Sequence, residues 1–235
     1  MSDTCRWLHE QLASLPLIRY PFDPNALPRD GVYVFYEDGE TWGHGDPTPR
    51  IVRIGTHRNG NFRSRIADHF LRNEARQMLF SVSRPAPKDR SIFRKNLGRA
   101  LLNRANDPYL EVWNFDFTTS ASRATAGHRR DIEKERAIEA KVTHLLRTTF
   151  AFRYIAVDDQ AERMGATGIE SALIGTVASC PDCCPSLAWL GNHSPDARIR
   201  RSGLWLVQHL AAPALETQQR DLLITAIERT AQATF

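Results

Sequence analysis

Residues 31–69 constrain the fold more than any other stretch of the chain, because they read as two strands running into a helix. The first strand is Gly31-Val32-Tyr33-Val34-Phe35-Tyr36 and the second Arg50-Ile51-Val52-Arg53-Ile54-Gly55. Between them lie Glu37-Asp38-Gly39-Glu40 and a polar loop with Gly43, Gly45, Pro47 and Pro49, so the pair is a hairpin with an insertion. Arg63-Ser64-Arg65-Ile66-Ala67-Asp68-His69 then opens a helix that the spacing extends over residues 62–79. Period-two alternation puts Tyr33 on one pleat face and Val32 and Val34 on the other.

Helical patterns over residues 3–14, 91–104, 129–148, 166–178, 198–210 and 216–231, with a third strand at 150–157, complete the reading. Ser91 is placed to cap the second of these helices. The fold class is α+β: a small three-stranded antiparallel sheet flanked by helices, with a helical insertion and C-terminal helices. The expected organisation is a single domain over 1–235, with a basic helical insertion at 71–128 and a C-terminal helical extension at 196–235. No apolar run approaches the roughly 18 residues of a membrane span. Asp3, Arg6 and Glu10 stand where a signal peptide would be apolar, so a cytoplasmic location is expected.

Net charge is only +4, but residues 58–104 hold twelve Lys or Arg against three acids. Such a local excess suits a polyanion, since each neutralised phosphate releases condensed counterions; a solvated basic surface is the plainer alternative. Arg65 and His69, four apart on one helix, share a face. With the Tyr33 hydroxyl they place a phenol, an imidazole and a guanidinium where one phosphate could meet all three. A hard divalent ion acting there would need a carboxylate. Glu139 sits among many charges and reads as part of a solvated face. Glu170 is the lone acid of Gly168-Ile169-Glu170-Ser171-Ala172-Leu173-Ile174, where an unpaired charge is costly, which favours an assigned role.

These motifs resemble the GIY-YIG nuclease family, named for its two strand motifs. Tyr33 matches the Tyr of the first motif and Gly55 the Gly of the second. Arg65, with Ile66 and His69, matches the Arg-Leu-x-x-His form of the restriction-endonuclease-like branch, and Glu170 before Leu173-Ile174 matches the late-helix Glu. The resemblance implies a DNA endonuclease using one divalent cation, Mg²⁺ or Mn²⁺, held by Glu170. Tyr33 would activate water with His69 relaying the proton, because a free phenol titrates near pH 10 and is a poor base alone. Arg65 would neutralise phosphoryl charge.

The second motif departs from the family pattern, with Arg53 where Tyr is usual; a salt link from Arg53 to phosphate is one reading of the change. Arg58, Arg63, Arg94, Lys95 and Arg99 are the candidate DNA contacts in and beside the insertion. The alternative function is a catalytically degenerate DNA-binding module. Cys180-x-x-Cys183-Cys184, with His193 and Cys5, suggests zinc, but no second well-spaced pair is evident, so structural zinc is not expected. A homodimer would follow if both DNA strands are cut together.

Overall fold

The computed structural model describes residues 2–43, 48–58 and 60–233; Gly45 and Pro47 of the hairpin loop lie outside them. Its centre is an antiparallel sheet in the order β1-β4-β2-β3, from Ile18–Arg19, Gly31–Thr41, Pro49–Thr56 and Phe150–Ala156 as β1 to β4 in chain order. The three long strands are those expected from the sequence, and the two-residue β1 adds a fourth beside β4.

Alternation along β2 divides the molecule into two apolar layers. Val32, Val34 and Tyr36 face one layer, and Tyr33 and Phe35 face the other. Helices Ser2–Ala13 (α1), Ile169–Ala178 (α5) and Thr217–Ala233 (α7) contribute to the first. Phe62–Phe70 (α2), Ile92–Arg104 (α3) and Ile132–Thr149 (α4) contribute to the second, with Trp113, Phe117, Trp189 and Trp205. Among the described residues, no helix is long and apolar enough to cross a membrane.

Two expected helices are shorter than the periodicity suggested. The helix expected over 62–79 ends at Phe70, because Leu71 takes a left-handed conformation (φ 48°); a four-residue helical turn, Glu74–Gln77, follows separately. The helix expected over 198–210 spans only Ala197–Ser202 (α6) and stops at Gly203, φ 67°. Leu204, Trp205 and Leu206 then leave the helix as irregular chain, and the Trp205 N–H donates to Val52 O at 2.7 Å beside β3.

The basic insertion is less exposed than its composition suggested. Glu139 belongs to the interior, not to a solvated face, and it pairs with Arg94 at 2.6 Å, both side chains fully buried. Arg94 also donates to His69 O and Thr143 Oγ1, while Glu139 Oε1 accepts from the Lys88 N–H. Lys88–Asp89 and Arg130–Glu135 are two further fully buried ion pairs.

Candidate active site

Tyr33 stands directly across from Gly55 in the β2–β3 ladder. A Cβ at position 55 would lie 2.4 Å from the Tyr33 hydroxyl, so only glycine lets the phenol lie flat over β3 there. From this position the Tyr33 hydroxyl reaches His69 Nε2 at 3.3 Å, and His69 Nδ1 is 2.8 Å from Ser91 Oγ. Ser91 is the N-cap of α3 and accepts the Arg94 N–H, as the sequence predicted. Tyr33, His69 and Ser91 therefore form one buried polar chain from sheet to α3.

His69 is held well below the usual imidazole range, first by burial and then by the charges of Arg65, Arg53 and Arg94. The shift favours the neutral ring. When Nδ1–H donates to Ser91 Oγ, Nε2 is left as an acceptor for the Tyr33 proton.

Glu170 lies in the first turn of α5 and reaches the adjoining residue of β3, where its Oε1 accepts the Thr56 N–H at 3.1 Å. It is only partly exposed. Burial pushes its carboxyl above the ordinary range, opposed by His209, the Thr56 N–H, Arg53 and Arg163. Glu170 and Tyr33 thus engage consecutive residues of β3, one through Thr56 and the other over Gly55. Arg53 acts electrostatically on both His69 and Glu170, so the substitution in the second motif puts positive charge between the two halves of the site.

Arg65 donates from Nη1 to Arg90 O at 2.7 Å, while its Nε is buried without a hydrogen-bond partner. A cleft of about 680 Å³ adjoins it, lined by Asp68, Arg76, Arg84 and Arg90 among others. Those three arginines are exposed, which makes this cleft a basic groove close to Arg65.

The candidate DNA contacts divide sharply. Arg58 is exposed, and Arg63 is partly buried with its Nε donating to Leu27 O at 2.6 Å. Arg94 does not face solvent, because Glu139 requires it inside. Lys95 is 7 % exposed and donates to Phe115 O at 3.0 Å; burial, with Lys88 and Arg99 nearby, pulls its ammonium down to about 8. Arg99 is partly buried and engages Asn114 and Asn96. Arg53 is 5 % exposed, donates to Trp205 O at 2.5 Å and stacks over Phe93 at 4.8 Å. In this conformation it gives the site charge rather than a direct phosphate contact.

A family-level comparison matches residues 17–233 to the GIY-YIG domain. The chain belongs to the GIY-YIG family. The match covers both strand motifs, α2 and α5, and also the 71–128 segment read from sequence as an insertion. Comparison with curated proteins and with solved structures gave no match. GIY-YIG proteins are generally nucleases that use a divalent metal.

The family motifs do not mark every residue at the site. Arg163 is fully buried and bonds Asp30 before β2, the His57 carbonyl after β3 and the Val157 carbonyl after β4. It ties three strand ends together where Glu170 sits. His209 is a second such residue, at a bend in the left-handed conformation (φ 57°). Neither occupies a motif, and no periodicity points to them; only the fold brings them to Glu170.

Proposed function

We propose that the protein is a DNA endonuclease that hydrolyses phosphodiester bonds with one divalent cation, through Tyr33, Arg65, His69 and Glu170. The observation that carries the reading is the pairing of two half-sites on consecutive β3 residues, Tyr33–His69 over Gly55 and Glu170 on Thr56.

Glu170 fits Mg²⁺ or Mn²⁺. It is a hard oxygen donor with Oε1 engaged by Thr56, and its surroundings leave the carboxylate charge under-compensated. Among the described residues, no His or acidic groups gather with it into a multi-ligand cage, so the protein would supply one ligand and leave the rest to water and phosphate. Such an ion, when bound, polarises a phosphoryl oxygen as a Lewis acid.

The chain's own groups handle the proton and the charge. As the Tyr33 oxygen takes a proton from the attacking water, its own proton passes to His69 Nε2, 3.3 Å away. Arg65, with an unpartnered Nε, neutralises charge growing on the phosphoryl oxygens. The basic cleft lined by Arg76, Arg84 and Arg90 receives the flanking strand, with Arg58 just ahead of α2 and Arg63 on it.

One observation favours a second reading, a DNA-binding module without turnover: Tyr33 is 1 % and His69 0 % exposed, which also suits a purely structural hydrogen bond. Supercoiled plasmid with Mg²⁺ or Mn²⁺ separates the two. Wild type should nick it, and Tyr33→Phe, Arg65→Ala and Glu170→Ala should each lose on the order of 100-fold in rate while still binding DNA. Cleavage persisting in purified Glu170→Ala would overturn the site. Salt-dependent binding with no nicking under either metal would establish the binding module instead.

A further inference from the structure

Three cysteines that the proposed nuclease site does not use converge on the opposite layer of the sheet. Cys5 on α1 lies with Cys180 and Cys183, which flank the turn after α5, and the three sulfurs are all within 4.8 Å of one another. They are 0 %, 6 % and 2 % exposed. The Cys5 and Cys183 sulfurs are 3.3 Å apart, and His9, one helical turn beyond Cys5, brings Nδ1 to 3.7 Å from Cys5 Sγ. Cys184 and His193, which the sequence spacing also offered, are both exposed and outside the cluster.

We infer that Cys5, Cys180 and Cys183 bind a zinc ion, with His9 completing the set, and that this site is structural. With Zn–S near 2.3 Å and Zn–N near 2.0 Å, a tetrahedral site separates its sulfurs by about 3.8 Å and sulfur from nitrogen by about 3.6 Å. The Cys5–Cys183 separation of 3.3 Å is about 0.5 Å short of that value, and the Cys180 sulfur lies within 4.8 Å of both. Cys180-Pro181-Asp182-Cys183 forms a tight turn closed by the Cys183 N–H on Cys180 O at 3.2 Å, and the Asp182 N–H is directed at the Cys180 sulfur. A turn that points an amide at a sulfur suits a metal-bound thiolate, whose excess charge it helps to hold. Arg50 supplies further positive charge: it is fully buried, and its field acts on Cys183.

His9, beside Cys5, is the candidate for the fourth place, and its ring must turn toward the other two sulfurs to fill it. It is 2 % exposed and stacks on Trp42 at 4.4 Å, with Nδ1 also 2.9 Å from Cys5 O. Ligation through Nδ1 would put the ring proton on Nε2, so the Nδ1–H bond to Cys5 O and the weak Ile51 N–H contact at Nε2, 3.5 Å, both give way. The ligand pattern is then Cys-x-x-x-His from α1 and Cys-x-x-Cys from the far end of α5. The ten-residue α5 separates the cluster from Glu170 by about 15 Å along its axis. The ion therefore clamps α1 to α5 and takes no part in chemistry at Glu170.

The test is elemental analysis of the full chain purified without chelator, together with Co²⁺ exchange of the wild-type protein. One zinc per chain is expected, and the Co²⁺ form should show the visible bands and sulfur-to-metal charge transfer of a tetrahedral thiolate site. Cys184→Ser should keep the metal, and Cys180→Ser and Cys183→Ser should lose it. The Co²⁺ spectrum needs no variant, so it decides the matter even if those two substitutions unfold the protein. Zinc at background level after incubation with Zn²⁺, with four titratable thiols and no Co²⁺ spectrum, would overturn the inference. So would an intact mass two hydrogens light from a Cys5–Cys183 disulfide. Neither readout depends on nuclease activity.

Discussion

Gly55→Ala is the substitution that most directly tests how the two half-sites are joined. The added Cβ would stand 2.4 Å from the Tyr33 hydroxyl, 2.5 Å from Cζ and 2.9 Å from Cε2. Ordinary carbon contacts begin near about 3.5 Å, so the ring must retreat by roughly 1 Å. It has nowhere open to go, because Phe35, Phe62 and His69 surround it at centroid distances of 5.4, 6.0 and 5.6 Å. Overpacking of this kind costs about 1–3 kcal/mol. The Tyr33–His69 contact is already 3.3 Å, so the same movement breaks it and leaves a buried ring nitrogen unpaired, adding about 1–3 kcal/mol. A loss of about 2–6 kcal/mol in urea unfolding is expected, with nicking down on the order of 100-fold from misplacement alone. The decisive measurement is a double-mutant cycle with Tyr33→Leu, in which the alanine meets no phenol and its cost should largely vanish. Additivity of the two substitutions within about 0.5 kcal/mol would refute the reasoning.

Two further perturbations follow from groups inside the core. Glu37 accepts both the Trp189 and Trp205 indole N–H groups at 2.9 Å, yet burial outweighs these bonds and raises its carboxyl to about 7. A raised folded value means stability fully present below the unfolded value near 4.5 and lost as pH rises through about 7. Glu37→Gln should therefore flatten the decline in urea midpoint between about pH 4.5 and 7 and leave the variant more stable than wild type at pH 8. An unchanged pH profile would count against it. Arg94→Ala strands the Glu139 carboxylate and should cost about 3–5 kcal/mol in chemical unfolding. Arg84→Ala, at an exposed cleft position, should change stability by less than about 0.5 kcal/mol and instead lower the salt slope of DNA binding by about one. Equal effects of the two substitutions on stability would show that Arg94 is not internal.

Much of this was legible in the sequence where a local rule set the answer. Strand alternation separated Tyr33 from Val32 and Val34, and the Ser91 cap fixed the start of α3. Glu170 stood out because an acid among apolar residues is costly. The same argument applied to α4 would have found Glu135 and Glu139, which lie at three- and four-residue steps from the inward Ile138, Val142 and Leu146. Their many charged neighbours concealed them. Arg94 and Lys95 misled for the matching reason: composition counts a cation without knowing whether a partner waits inside. The early end of α2 at Leu71 and the arrival of Arg163 and His209 beside Glu170 are decided by tertiary packing, which no window of neighbouring residues contains. The cysteine cluster lies between these cases. Both ligand pairs are present in the sequence, 171 positions separating His9 from Cys180, but only folding brings them together.

The segment Leu204 to Leu206 bears on how two copies of this chain could associate. A sheet rim with bare N–H and C=O groups is a template for a neighbouring molecule to extend. Here β1 covers the outer side of β4, while on β3 the Val52 carbonyl takes the Trp205 N–H and the Thr56 N–H is taken by Glu170. Joining two sheets rim to rim through β3 would displace Trp205 and strip Glu170 from its anchor, disturbing the site in the act of assembly. A dimer that cuts both strands would therefore not join its sheets through β3.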